Sequence, residues 1–228
     1  MRRIIIAIDG YAATGKSTTA RGVAEYLGYL HIDSGGMYRA VAWHLWRKGF
    51  RHLSPTLTPE ALSDFALHLE GRGREMEVYV GQQLLKEELY LPEISRFASE
   101  VSTLSWIRER LVAEQRRLGT RGGVVMDGRD IGTVVFPQAE LKVFMQASLE
   151  ARVERRYQEL CTRGIAITRD EVQKELLERD YRDETRSISP LRKAPDARIL
   201  DTTHLTIPEQ IDIVVSWARS LIIAPTLP

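Results

Sequence analysis

Residues 4–18, Ile4-Ile5-Ile6-Ala7-Ile8-Asp9-Gly10-Tyr11-Ala12-Ala13-Thr14-Gly15-Lys16-Ser17-Thr18, decide the fold. Ile4 to Ile8 is a short apolar, β-branched run, the signature of a strand buried on both faces. It leads into Gly10-x-x-x-x-Gly15-Lys16-Ser17, the pattern of a phosphate-binding loop. A helical period follows over 16–27, with Ala20, Val23, Ala24 and Leu27 on one side. Such a loop wraps a phosphate with backbone N–H groups, and the helix start adds unpaired donors and a positive dipole end. Gly10 and Gly15 permit the backbone angles and close approach that a Cβ would hinder. Lys16 is expected to reach the β- and γ-phosphates, and the Ser17 hydroxyl to ligate Mg²⁺. The alternative is a plain glycine turn between a core strand and a helix. At average glycine usage, a chance match in a chain this long is on the order of one in a hundred.

The 228 residues suffice for one α/β domain with a sizeable core and subdomains on it. A formal net charge of +1 argues for neither a nucleic-acid nor a membrane partner. Of 32 basic residues, 26 are Arg and six are Lys. The guanidinium fork suits a site crowded with phosphates, although Arg-rich coding would give the same excess. Cys161 is the only cysteine, so an intrachain disulfide is excluded and a cysteine metal site is not expected. The basic pair Arg2-Arg3 and the apolar run after it imitate a signal peptide, but Asp9 interrupts the run. With no stretch of membrane-spanning length, a cytoplasmic protein is expected. The chain contains no Asn, which excludes N-glycosylation.

A second strand is expected over 29–32, ending in Asp33-Ser34-Gly35-Gly36-Met37-Tyr38-Arg39, a polar and glycine-rich loop where open α/β sheets bind ligands. A helix follows over 36–48, with Val41, Leu45 and Trp46 as core positions. Residues 50–104 break the βα rhythm. A short helix over 58–69 opens at Thr58-Pro59. Glu75 to Val80 alternates at strand period and turns through Gly81-Gln82 into a small hairpin or meander. Helices are expected over 92–102 and 105–118. The segment from residue 33 to residue 123 far exceeds a single-helix crossover, which implies an inserted subdomain beside the sheet edge. Further strands are expected over 123–127, 141–146 and 197–200, and helices over 149–162, 169–186 and 208–221. The tail, 224–228, is expected to be disordered. Five strands alternating with helices predict a parallel, doubly wound sheet. The expected division is a core of 1–33, 119–148 and 190–223, an insert of 34–118 and an arginine-rich lid of 149–189.

Asp127 ends an apolar strand, the usual place for the carboxylate that orients Mg²⁺ in phosphate-loop enzymes. A loop-capping Asp is the alternative. Arg129 and Asp130 follow over the same sheet edge. On the helix over 169–186, Arg179, Asp183 and Arg186 fall at i, i+4 and i+7 and share one face, while Val172, Leu176 and Leu177 form an apolar patch. A solvated face carrying an Arg179–Asp183 pair is the plain alternative. Phosphoryl transfer gives the arginines a purpose, because it is catalysed largely by positioning and positive charge. Two arginine-bearing helices, with Arg152, Arg155 and Arg156 on the first, joined by a turn containing Gly164, would form a lid that closes over phosphates and excludes water.

Taken together, these segments resemble the bacterial-type cytidylate kinases, a family of nucleoside monophosphate kinases, over nearly the whole chain. The resemblance rests on the loop from Gly10 to Thr18 and on Asp33 to Arg39. It rests further on Asp127-Gly128-Arg129-Asp130-Ile131-Gly132-Thr133-Val134-Val135-Phe136-Pro137, and on Arg179-Asp180-Tyr181-Arg182-Asp183 through Ser189-Pro190-Leu191. It implies transfer of the ATP γ-phosphoryl group to CMP or dCMP with Mg²⁺. By matching motif, Ser34, Arg39, Arg129 and Arg186 would hold the acceptor phosphate. Ser99, Arg108 and Asp130 would read the cytosine, and Arg179 and Asp183 would contact the ribose. ATP would lie on Gly10, Tyr11, Ala12, Ala13, Thr14, Gly15, Lys16, Ser17 and Thr18, beneath Arg152 and Arg156, with Ser17 and Asp127 at the metal. Lys16, Asp127, Arg129, Arg179 and Arg186 would carry catalysis. Cytosine offers an exocyclic amine donor and the N3 and O2 acceptors, which Asp, Arg and Ser complement. Family loops usually read Gly-Pro-x-Gly-x-Gly-Lys; here Tyr11 and Ala13 replace the Pro and the second Gly. Ala13 therefore either has ordinary backbone angles or is strained.

Another small-molecule kinase on the same scaffold, acting on UMP, AMP or shikimate, is the nearest rival. A guanine-reading switch would need an Asn-Lys-x-Asp element, which a chain without Asn lacks. No basic stripe with interleaved aromatics suggests nucleic acid. A monomer is expected.

Overall fold

The computed structural model describes residues 3–72 and 75–223. The tail read as disordered lies outside the described residues. Strand β1 (Ile5–Gly10) is almost wholly buried, as its apolar run requires. Helix α1 (Lys16–Leu27) buries Ala20, Val23 and Ala24 and stops at Gly28, whose φ of 69° lets its N–H cap the last carbonyls. Then come β2 (Leu30–Asp33) and α2 (Ser34–Arg47), the Asp33 carboxylate accepting from Gly36 N at the helix start.

The insert supplies β3 (Leu67–Arg72), β4 (Glu75–Val80), β5 (Gln83–Leu85), α3 (Pro92–Val101) and α4 (Ser105–Gly119). The remaining elements are β6 (Val124–Gly128), β7 (Leu141–Gln146), α5 (Leu149–Thr162), α6 (Arg169–Thr185), β8 (Arg198–Asp201) and α7 (Ile207–Ile223). One turn of π-helix, Ile131–Val135, follows β6 and has no counterpart in the sequence expectations.

Strands run in the order β3-β4-β2-β6-β1-β7-β8, and β5 pairs with β4 off this path, on the edge of β4 away from β3. The five expected strands, β2-β6-β1-β7-β8, are parallel throughout. The insert differs from expectation in that its meander joins the main sheet, through the parallel pair His31 and Glu75. Residues 58–69 also depart from the expected helix. Only Pro59–Leu62 forms a single 3₁₀ turn, and Leu67 and Leu69 pair with Val80 and Val78 in an antiparallel ladder. Cross-strand pairing there outweighs local helical preference.

Apolar side chains of α2, α3 and α4 pack one face of the sheet, and those of α1 and α7 the other. The pair α5 and α6 has a small core of its own, in which Ala12 meets Val153, Leu160, Val172 and Leu176. Leu177, read as part of that packing, is 47% exposed. Connections from β1 and from its neighbour β6 leave in opposite directions, so a crevice opens outside their carboxyl ends. Among the described residues, no helix is long and apolar enough to cross a membrane.

Candidate active site

A cavity of about 450 Å³ fills that crevice, walled by the loop after β1, the ends of β2 and β6, α3, and the pair α5 and α6. Gly10 makes the loop possible. Its φ is 149°, and a Cβ there would sit 2.0 Å from the Met145 carbonyl oxygen of β7. Gly15, at φ 92°, stands at the start of α1 with no side-chain cap, leaving first-turn N–H groups for a ligand. Ala13 has a φ of 60°. The substitution for glycine is therefore accommodated as strain, on the order of 1–2 kcal/mol for an L residue in the left-handed region.

Lys16 is buried, and its ammonium donates to the Tyr11 carbonyl oxygen and, at 3.4 Å, to Thr14 Oγ1. Burial, then the nearby Arg129 and Arg179 guanidinium groups, hold its pKa well below the ordinary lysine value. Ser17 Oγ donates to Asp127 Oδ2 at 2.6 Å. The other Asp127 oxygen, Oδ1, lies 2.8 Å from Nε2 of His31, a buried residue of β2. Burial alone would lower the His31 pKa; the hydrogen bond and charge of Asp127 outweigh it and leave it raised.

On the opposite wall, Arg39 Nη2 meets Asp33 Oδ2 at 2.5 Å. Burial opposes both charges, yet each holds the other ionised: Arg39 is raised and Asp33 lowered. Arg129 Nε donates to Asp183 Oδ2 at 2.8 Å, and Arg108 Nη2 to the buried Asp130 carboxylate. Arg186 Nη2 stands 3.8 Å from Asp130 Oδ1. Ser34 Oγ donates to the Asp127 carbonyl at 2.7 Å, and Ser99 Oγ accepts from Arg182 Nη1 at 2.8 Å. Burial, then repulsion from Arg129, brings Arg179 down to about 10. Buried Nε atoms of Arg39 and Arg179, and Nη2 of Arg186, have no hydrogen-bond partner among the described residues. With Arg108 Nε, likewise without a partner, these make four orphaned cationic donors from the wall of one cavity, which fits an anionic ligand.

The cavity wall gathers Ala12, Ala13, Gly15, Lys16, Ser17 and Thr18 from the loop. It also gathers Ser34, Arg39, Ser99, Arg108, Asp127, Arg129, Asp130, Arg156, Arg179, Asp183 and Arg186. Gly10, Tyr11, Thr14 and Arg152 are not on that wall. Thr14 is fully buried, and Arg152 pairs with Asp180 at 2.5 Å with its guanidinium 5.2 Å over the Tyr11 ring. Tyr11 itself donates its hydroxyl to Glu184 Oε1 at 2.6 Å. Asp183 on α6 and Arg186, which caps the helix one residue beyond its end, are buried, not solvated. Sequence reasoning gave no role to His31, to Asp33, or to Tyr90, whose ring lies between the Arg39 and Arg163 guanidinium groups at 5.2 and 4.8 Å. Asp33 heads a segment already singled out; nothing local marks His31 or Tyr90.

Serine hydroxyl and carboxylate side by side are hard oxygen donors of the kind Mg²⁺ takes from a protein, the rest of its shell being water and phosphate. Among the described residues no cluster of three or more His, Cys, Asp or Glu could hold a metal ion alone. The pair suits a cation that arrives with a phosphate.

The family model described as cytidylate kinase matches residues 6–220. A cytidylate kinase of Cytophaga hutchinsonii is 43% identical over 220 residues, covering 96% of this chain and 94% of that one. One of Chloroherpeton thalassium is 44% identical over 228 residues, covering 97% and 95%. The crystal structure of an uncharacterised protein from Eubacterium ventriosum shares the fold, with a TM-score of 0.53 at 12% identity over 96% of this chain and 99% of that one.

Proposed function

The chain belongs to the cytidylate kinase family, and from that premise we propose how its residues perform a nucleoside monophosphate kinase reaction. The enzyme moves the γ-phosphoryl group of ATP to CMP or dCMP, giving CDP or dCDP. The observation that carries the reading is the meeting, in one cavity, of a phosphate loop with a cluster of arginines that each keep a buried nitrogen donor without a partner.

The donor triphosphate lies on the loop, against its backbone N–H groups and the start of α1. Lys16, already held beside the loop, faces the β- and γ-phosphates. Its depressed pKa reflects burial and then the neighbouring guanidinium groups, and an arriving polyanion favours its charged form. Arg156 of the lid, 149–189, faces the same phosphates, and Arg152 supports the loop through Tyr11. Ser17 and Asp127 would hold Mg²⁺, which would supply charge neutralisation to the phosphates. His31 keeps the Asp127 carboxylate turned toward Ser17.

The acceptor lies under the insert, 34–118. Ser34, Arg39, Arg129 and Arg186 hold its phosphate; Ser99, Arg108 and Asp130 meet the cytosine edge; Arg179 and Asp183 meet the ribose. An acceptor phosphate oxygen attacks the γ-phosphorus in line, the bond to the β,γ-bridging oxygen breaks, and ADP leaves. No general base is needed, because the attacking oxygen is already anionic. Lys16, Arg129 and Arg179 offset the charge that spreads over the transferred group. The reading takes the enzyme as a cytoplasmic monomer.

A coupled assay over CMP, dCMP, UMP, AMP, GMP and shikimate tests the assignment. Highest kcat/KM with CMP or dCMP is expected; highest turnover with AMP or shikimate would overturn it.

A further inference from the structure

Asp9 is buried at the end of β1 and is not on the cavity wall. Its carboxylate nonetheless reaches the loop after β6. Oδ1 accepts from Ile131 N and Oδ2 from Gly132 N, each at 2.7 Å, across more than 120 positions of sequence. These N–H groups open the π-turn, where a helical turn has no carbonyl of its own to offer them, and Asp130 at the cap gives no side-chain bond. Gly132 makes room: a Cβ there would lie 3.3 Å from Asp9 Oδ2 and 3.2 Å from the Lys142 side chain. The residues just before this clasp are Arg129 and Asp130. The residue just after Asp9 is Gly10, where the phosphate loop begins.

We propose that Asp9 is a positioning residue for the acceptor nucleotide, clasping the loop that carries Arg129 and Asp130 to the root of the phosphate loop. Two bonds to consecutive N–H groups from one rigid carboxylate fix both the height and the rotation of that loop. The Arg129 guanidinium and the Asp130 carboxylate are thereby held in register with Lys16 and Ser17. A neutral amide cannot substitute, since its NH₂ group would face one of the two backbone N–H donors. The site keeps a carboxyl there although burial, against the pull of the two N–H bonds, pushes it up to about 7. The inference rests on the reading that Arg129 and Asp130 meet the acceptor.

The test is steady-state kinetics of Asp9→Asn, with Gly132→Ala as a second variant that crowds the clasp while the Asp9 carboxyl stays in the chain. In both, KM for CMP should rise roughly tenfold, the factor of one lost charge-assisted bond. KM for ATP should change less than threefold, and the CMP-to-UMP ratio of kcat/KM should fall several-fold. A merely structural pin predicts a lower melting temperature with both KM values and the selectivity ratio unmoved. That result in either folded variant, or equal rises in both KM values, would overturn the proposal. Arg129→Met is the control for its premise: a CMP KM left unchanged by that substitution would sink the acceptor-site reading whatever Asp9 does.

Discussion

Ser17 Oγ and Asp127 Oδ2 are 2.6 Å apart although 110 positions separate them in the chain. Strand β6 lies beside β1, so the carboxylate at the end of one strand meets the first turn of the helix that follows the other. Asp127→Asn keeps the shape and removes the charge that would hold a cation. We expect kcat to fall by about 10²-fold or more, the loss seen when one preorganised electrostatic group is removed. The Mg²⁺ concentration for half-maximal rate should rise with it, and a chelator should abolish turnover of the unaltered enzyme. Metal titration of initial rates checks this.

Arg179 gives a prediction in which stability and activity part. Burial and the neighbouring Arg129 lower its pKa to about 10, so its charge is unfavourable in the folded state at neutral pH. Arg179→Met should leave the urea midpoint unchanged or raised while kcat falls about 10²-fold. A loss of both together would mean that the guanidinium supports the fold rather than the reaction.

Asp9 should show in the pH dependence of stability. Its carboxyl titrates near 7 in the fold against an ordinary 3.8, so the folded state holds the proton more tightly. The stability this gives is fully present below 3.8 and is lost as pH rises through 7. Asp9→Asn lacks that dependence. The stability difference between the two proteins should shift in favour of the variant by up to about 1.4 kcal/mol per pH unit between pH 5 and 7, then level off. Urea midpoints across that range check it; parallel curves would contradict it.

Ala13 carries a φ of 60° in the phosphate loop. Glycine there removes the left-handed cost but adds freedom to the unfolded chain. Ala13→Gly should stabilise the protein by a net of about 0.5–1 kcal/mol, read from denaturant unfolding.

Much of this architecture was legible because it is local. Ile4 to Ser17 encode a strand, a glycine turn and a helix start within a few residues of one another, and helix α5 begins and ends where its period does. Ser17 was legible as a candidate from the phosphate-loop motif, Asp127 and Arg129 from their place at a strand end, and Asp183 from a shared helical face. What escaped depends on distance in the chain. The Asp127–His31 and Asp9–Gly132 bonds join residues about a hundred positions apart, and no spacing rule links them. The pairing of β4 with β2, which among the described residues is the pair His31 and Glu75, leaves no periodic trace, so the insert was expected beside the sheet rather than in it. Leu67 and Leu69 were read as helical because the helix-start pair Thr58-Pro59 precedes them, while their partners are Val80 and Val78 of the next strand. Leu177 fits the apolar period of α6 yet faces outward, since the small core between α5 and α6 is filled by Val172 and Leu176.

The central claim is that two nucleotides meet end to end, one on the phosphate loop and one among the arginines. A bisubstrate molecule, adenosine and cytidine joined through a pentaphosphate, tests it most directly by inhibition kinetics. The account predicts competition with both ATP and CMP, with affinity well above that for either nucleotide alone and lost together in Lys16→Met and Arg129→Met. Competition with ATP alone, with CMP still binding to the inhibited enzyme, would contradict it.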